Sequence, residues 1–291
     1  MSSPTIDLPH MLKRLHLPTI ARNLDEVETQ AAKEGWGIRD ALAILCAHEV
    51  ANRNNTRIAK AVRQARFPFL KTMEEFDFTF ASGLRRDLLA PYLCHEFVTE
   101  GRNVIFNGRS GRGKTALSIA IAYRAIQNGF DALFTTAEDL IDDLVKAARS
   151  GNLKKATAAY RDPDVLIIDE MGYLPYVDDA ANVLYGVVDA RYLAKRPMLF
   201  TTNQSLEQWG EVLHDANLAE ALLDRVLERG RQVVLTGPSY RTRNSQPVSM
   251  PTDVASAGEH HAPPRSAGRR ASTESTAATS PPEAGDRPRR R

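Results

Sequence analysis

Apolar positions recur along this chain with two different periods, and the change from one to the other divides it. Up to about residue 70 the spacing is helical. Leu8, Met11, Leu12 and Leu15 follow one turn after another, Pro18 can open a second helix at its first turn, and a third starts between Gly37 and Asp40 and runs toward Pro68. From about residue 99 short apolar runs alternate with helical stretches. NVIF (103–106), ALFTT (132–136), VLIID (165–169), MLFTT (198–202) and QVVL (232–235) read as strands; 114–128, 137–149, 178–194 and 216–228 read as helices. That alternation predicts an α/β fold with a mostly parallel sheet covered on both faces.

From about Ser245 the pattern stops. The segment contains Pro, Ser, Ala, Gly and Arg but no Leu, Ile, Phe, Tyr or Trp. It holds too little apolar surface to offset its ordering entropy, so 245–291 is expected to be a disordered tail with an Arg-rich end, RPRRR. The expected organisation is therefore a helical segment 1–70, an α/β domain 71–244 and a tail 245–291.

Composition adds little. With 43% hydrophobic and 25% charged residues and a formal net charge of +2, the whole-chain balance points to no partner, and local patterns must decide. One pattern does. Arg53, Arg57, Lys60, Arg63, Arg66 and Lys71 follow one another without an acid between Glu49 and Glu74. At 100° per residue Arg53, Arg57 and Lys60 share a helix face, with Ile58, Val62 and Ala65 opposite. Such a face, with Arg63 beside it, can neutralise duplex phosphates without reading sequence; the plain alternative is a solvated basic surface. No helix-turn-helix, zinc-finger or aromatic stacking pattern accompanies it. Cys46 and Cys94 lack metal-ligand spacing and read as small buried residues. The start has no apolar signal core, and no run of 18 apolar residues occurs, so a cytoplasmic protein without a membrane span is expected.

The chemistry is concentrated after the first strand, in FNGRSGRGKTA. Gly108-x-x-x-x-Gly113-Lys114-Thr115 between a strand and a helix is a P-loop. There, backbone N–H groups surround phosphate oxygens, the helix N-terminus adds positive potential, Lys114 reaches the β and γ phosphates and Thr115 ligates Mg²⁺. The expected phosphate cradle is Gly108, Arg109, Ser110, Gly111, Arg112, Gly113, Lys114, Thr115 and Ala116. Arg109 and Arg112 lie outside the fixed positions; they either raise the anion potential or point to solvent or a neighbouring subunit. VLIIDE ends a strand with Asp169, expected to hold Mg²⁺, and Glu170, expected to orient or deprotonate the attacking water. Asn203 ends the strand MLFTT, either to reach the γ-phosphate or to cap the next turn. Arg225 lies near the end of an apolar helix, where the plain reading pairs it with Asp224 or Glu228.

Together, NVIFNGRSGRGKTALSIAIAY, TTAEDLIDDL, PDVLIIDEMGYLP, DDAANVLYGVVDARY, TTNQSLEQWGEVLHD, ALLDRVLERG and GPSYR resemble the IstB helper ATPases of insertion sequences. These are AAA+ proteins related to the DnaC-type helicase loaders. With ARFPFLKTMEEFDFTF the likeness covers roughly residues 5–244; DExGYLP, WGE and LLDR are its most specific parts. The resemblance implies an AAA+ core of strand order 5-1-4-3-2, ATP with Mg²⁺, ATP-dependent oligomerisation on duplex DNA, and service to a DDE-type transposase. It makes Asn203 sensor 1 and Arg225 an arginine finger for the neighbouring subunit. The chain departs from the family at Arg109, Ser110 and Arg112, where smaller residues are usual, and at VLERG, where a His pair is common. Too few residues separate Arg225 from GPSYR for a full C-terminal lid, which leaves Arg241 a weak sensor candidate. Two rivals stay open: a replicative helicase loader, and a switch in which ATP drives assembly without hydrolysis.

Overall fold

Three helices open the chain: α1 (Leu8–Arg14), α2 (Pro18–Glu34) and α3 (Ile38–Gln64). The computed structural model describes residues 7–79, 81, 84–172 and 179–242; the expected tail, 245–291, and the YLP of DExGYLP lie outside them. Asp7 caps α1 by accepting from His10 N at 3.1 Å. The N-cap position of α2 is Leu17, which has no polar side chain to offer, so the cap comes from another helix. Glu49 of α3, buried, accepts from Thr19 N at 2.9 Å and Ile20 N at 3.3 Å, while Arg53 Nε donates to its other oxygen at 2.8 Å. Leu12, Ile20, Val27 and Leu45 close a small core between the helices.

The end of α3 belongs to a different core. Ala61 and Ala65 are buried in the main one with Ile58 and Val62 against it, and Phe134 N donates to Ala65 O at 2.8 Å. Cys46 corrects the sequence reading: it is exposed, because α3 packs through Leu45 and Glu49 and turns Leu42, Cys46 and Val50 outward.

The remainder is built as α4 (Glu96–Thr99), β1 (Asn103–Asn107), α5 (Lys114–Gln127), β2 (Ala132–Thr136), α6 (Ala137–Arg149), α7 (Leu153–Arg161), β3 (Val165–Asp169), α8 (Ala180–Leu193), β4 (Met198–Thr202), α9 (Trp209–Val212), α10 (Ala216–Glu228) and β5 (Gly230–Val234). The sheet is parallel, in the order β2-β3-β4-β1-β5, which is 5-1-4-3-2 read from the other edge. β3 and β4 are buried at every position, as apolar runs covered on both faces must be. Side chains alternate between layers: Val104, Phe106 and Ile167 pack with α5, while Ile105, Leu166, Ile168 and Phe200 pack with α6, α8 and α10. Trp209 of α9 is fully buried edge-on to Phe200, ring centroids 5.9 Å apart.

β5 starts at Gly230, two residues before its apolar run, since pairing with Asn103 draws a Gly-Arg pair into the edge strand. The short helices α4, α7 and α9 and a 3₁₀ segment at Arg86–Tyr92 were not expected; pieces of this length carry too few turns to show a period. Among the described residues a single 3₁₀ turn, Tyr240–Thr242, follows β5.

Candidate active site

β1 delivers the chain to the P-loop at its C-terminal end. Gly113, the N-cap of α5, sits at φ 84°, and a Cβ there would lie 2.8 Å from the Phe76 ring, so both conformation and space require glycine. Lys114 Nζ lies across the loop, donating to Gly108 O at 2.7 Å and Arg109 O at 3.1 Å. Burial lowers its pKa; the nearby Asp169 carboxylate opposes this and the Arg241 charge adds to it. An ammonium held by two carbonyls at a helix N-terminus is a receptor for phosphate anions.

The acids come from the strand two places away. Asp169 is buried at the end of β3, accepting from Thr115 Oγ1 at 3.0 and 3.1 Å and from Thr201 Oγ1 at 2.5 Å. Thr201 in turn accepts from Glu170 N at 3.0 Å. Glu170 itself is exposed and turns out of the strand at φ 61°, a left-handed conformation fixed by Met171 N to Thr201 O and Gly172 N to Glu170 O, both 2.8 Å. The hydroxyl of Thr115 and the carboxylate of Asp169 are hard oxygen donors without imidazole or thiolate, the set Mg²⁺ takes when phosphate and water complete its shell. The residues fit that ion.

Asn203 follows β4 and is exposed beside the Glu170 turn. Its Oδ1 lies 2.3 Å from where a Cβ on Gly172 would sit, so the glycine of DExG makes room for this amide. The next turn is capped by Ser205 in a box with Gln208, which removes the capping role once open to Asn203. Thr115, Asp169, Glu170 and Asn203 are thus brought to one end of the sheet.

The loop arginines separate. Arg112 donates to Leu235 O at 2.8 Å and ties the P-loop to the end of β5. Arg109 is exposed, with no side-chain partner among the described residues. The segment after β5 crosses the loop: Tyr240 N donates to Gly111 O at 2.9 Å, and Arg241 reaches Ser110 Oγ at 3.4 Å. Arg241, a weak sensor candidate from sequence, therefore stands at the P-loop.

Arg225 stands elsewhere. Its Nε donates to Asp189 Oδ1 of α8 at 2.7 Å, and its guanidinium lies 4.8 Å from the Tyr185 ring centroid; neither Asp224 nor Glu228 is its partner. The adjacent Val226 O accepts from Asn103 Nδ2 at 3.0 Å, at the start of β1. The P-loop leaves the other end of that strand, about 13 Å away at the usual strand rise. Arg225 is thus at the opposite end of the sheet from Lys114 of its own chain. Asp189, Tyr185 and Thr201 escaped sequence reasoning; Asp189 and Tyr185 lay within the quoted YGVVDARY, and Thr201 within TTN.

Of the basic residues, Arg53 also donates to His16 O, and Arg57 donates to Ile126 O at 3.0 Å at the end of α5. Both act as C-terminal helix caps within the chain. Lys60 and Arg63 are exposed, the latter touching its own helix at Ala59 O, 3.4 Å.

A parallel sheet of this order, with a P-loop after β1 and an Asp-Glu pair ending β3, defines the AAA+ class of P-loop ATP-binding proteins. Within that class the chain belongs to the IstB-like ATP-binding proteins, whose family model matches residues 10–247. It is 34% identical over 233 residues to the ATP-binding protein of insertion sequence IS5376 from Geobacillus stearothermophilus, covering 80% of this chain and 92% of that one. To the IS21 ATP-binding protein of Pseudomonas aeruginosa it is 32% identical over 264 residues, covering 87% and 99%. Among solved structures, the DnaC helicase loader is similar at a TM-score of 0.44 and 22% identity, covering 62% of this chain and 99% of that one. No helix among the described residues is long and apolar enough to cross a membrane.

Proposed function

We propose that this chain is a Mg²⁺-dependent ATPase of the cytoplasm that assembles head to tail on duplex DNA and serves the transposase of an insertion sequence by selecting or preparing its target. The observation that carries the reading is the contact of Thr115 with Asp169, with Glu170 held exposed beside it. In this reading residues 1–70 form the DNA-facing and assembly part, 71–244 the ATPase and 245–291 a tail.

The P-loop amides and Lys114 hold the β and γ phosphates of ATP, with Arg109, Ser110 and Ala116 completing the cradle. Thr115 and Asp169 hold Mg²⁺, which when bound neutralises phosphate charge. Glu170, free of the strand, orients water in line with the γ-phosphate and accepts its proton, and Asn203 hydrogen-bonds the water or the γ-phosphate. Arg225 cannot serve its own nucleotide from the far end of the sheet. It neutralises developing charge on a neighbour's, so turnover depends on assembly. Lys60 and Arg63, with Arg53 and Arg57 behind them, meet phosphates of the duplex.

The test is duplex binding by fluorescence anisotropy with ATP, ADP or neither, with the mass of the complex followed by sedimentation. ATP-dependent binding with growth beyond one protomer is expected, and its loss in Lys114→Ala. Binding indifferent to nucleotide overturns the reading.

A further inference from the structure

We infer that Asp189 and Tyr185 are positioning residues for Arg225, holding its guanidinium so that Nη2 is left to face a neighbouring copy of the chain. This rests on reading Arg225 as acting between subunits. Three observations carry it further. First, the grip is one-sided. Asp189 Oδ1 takes Nε at 2.7 Å and Ala221 O takes Nη1 at 3.2 Å, while Nη2 makes no hydrogen bond among the described residues. A guanidinium engaged bidentately by a carboxylate would have two nitrogens occupied by that charge; here the carboxylate holds only the base of the fork, and Nη2 is left open.

Second, the face of the fork is set. Tyr185 lies 4.8 Å from the guanidinium carbon and Tyr192 5.8 Å, so the plane is confined by aromatic rings from the same helix as Asp189. Third, an acid on Arg225's own helix is occupied elsewhere. Glu228 accepts from Tyr192 OH at 2.5 Å and lies 3.8 Å from Arg229, which itself stacks 4.6 Å from Tyr192. With Glu228 held there, Asp189 is the one carboxylate on the fork among the described residues, and the Arg225 side chain is held while only partly exposed, at 28%. An arginine ordered before the neighbour arrives loses little freedom when it meets phosphate, which is the advantage of preorganised charge.

Asp189→Asn, Asp189→Glu, Tyr185→Leu and Arg225→Ala are compared in steady-state ATP turnover on duplex DNA, with assembly followed by sedimentation and folding by thermal unfolding. In Asp189→Asn, kcat is expected to fall roughly tenfold or more while KM for ATP, assembly and thermal midpoint hold, since a displaced reacting group costs rate and not ground-state binding. Asp189→Glu, which restores the charge, should recover part of kcat, and Tyr185→Leu should lose a smaller part. Unchanged or raised turnover in Asp189→Asn, with Arg225→Ala inactive, overturns the positioning role and leaves the finger in place. Turnover kept in Arg225→Ala overturns both. A fall in kcat that appears only alongside lost assembly or a lowered midpoint assigns Asp189 to structure and overturns the inference.

Discussion

Arg191→Met removes the one side chain that joins five backbone carbonyls beneath the sheet. Arg191 of α8 has no exposed surface, and burial pushes its pKa down to about 9. Nη1 donates to Tyr160 O and Arg161 O at 2.9 Å and Pro163 O at 2.8 Å; Nη2 donates to Asp164 O at 3.0 Å and Pro197 O at 2.8 Å. Those groups end α7 and lead into β3 and β4, whose opposite ends carry Asp169 and Asn203. In the variant Pro197 O keeps Leu166 N at 3.2 Å and Arg161 O keeps Arg196 Nη1 at 3.2 Å. The carbonyls of Tyr160, Pro163 and Asp164 lose the donor. Each orphaned carbonyl costs about 1–3 kcal/mol. The relief of a desolvated guanidinium returns part of that sum, so the net loss should be about 3 kcal/mol. That is a large fraction of a domain's usual stability of about 5–15 kcal/mol. Urea unfolding followed by far-UV circular dichroism measures it, with Arg191→Lys expected between the two because an ammonium has three donors to share among the same carbonyls. A methionine variant within about 1 kcal/mol of the parent would refute the reasoning, because it would mean the carbonyls find water or one another without cost.

Asp169→Asn and Thr115→Val should each weaken Mg²⁺-dependent ATP binding by about tenfold or more, read from magnesium titrations with a fluorescent nucleotide, while binding without magnesium changes little. Lys60→Glu with Arg63→Glu should lower duplex affinity and reduce the salt slope by about two, leaving nucleotide binding alone; an unchanged slope would exclude this face. Arg57→Glu should instead lower the thermal midpoint, because the carbonyls of Ile126 and Gln127 lose a charged donor at the end of the P-loop helix, Ile126 O keeping its backbone donor Gly129 N. The fold holds Glu49 below its ordinary 4.5, chiefly through the hydrogen bond from Arg53. Its contribution is therefore complete above 4.5 and disappears as pH falls through the depressed value. Acidification should loosen α1 and α2, and hydrogen exchange of Thr19 and Ile20 should rise with it; Glu49→Gln should show the loose state already at neutral pH.

The site was legible where chemistry is confined to short segments. A P-loop needs glycine and lysine at fixed spacing on one strand-turn-helix, and the β3 acids need only one apolar strand to place them, so Lys114, Thr115, Asp169 and Glu170 stand where their sequence context put them. What the chain hid were contacts made by long side chains across the fold. Arg225 has acids one residue before it and three after it, yet its partner is Asp189, 36 residues away. Arg53 and Arg57 look like part of a solvent-facing basic stripe until the carbonyls at the ends of α1 and α5 come within their reach. Cys46 was misplaced because its residue type favours burial, while the packing face of α3 is set by Leu45 and Glu49. The asparagine after β4 was ambiguous between two roles until Ser205 was seen to cap the next turn. In each case the deciding group is remote in sequence, and no local period records it.

ATP turnover of the purified chain with and without duplex DNA, with Glu170→Gln beside it, tests the central claim most directly. The account predicts turnover that rises on duplex and with protein concentration, is absent in Glu170→Gln, and leaves ATP-dependent DNA binding intact in that variant. Turnover absent from the parent under every condition, with ATP-dependent binding kept, would contradict it and make this core a nucleotide-driven assembly switch.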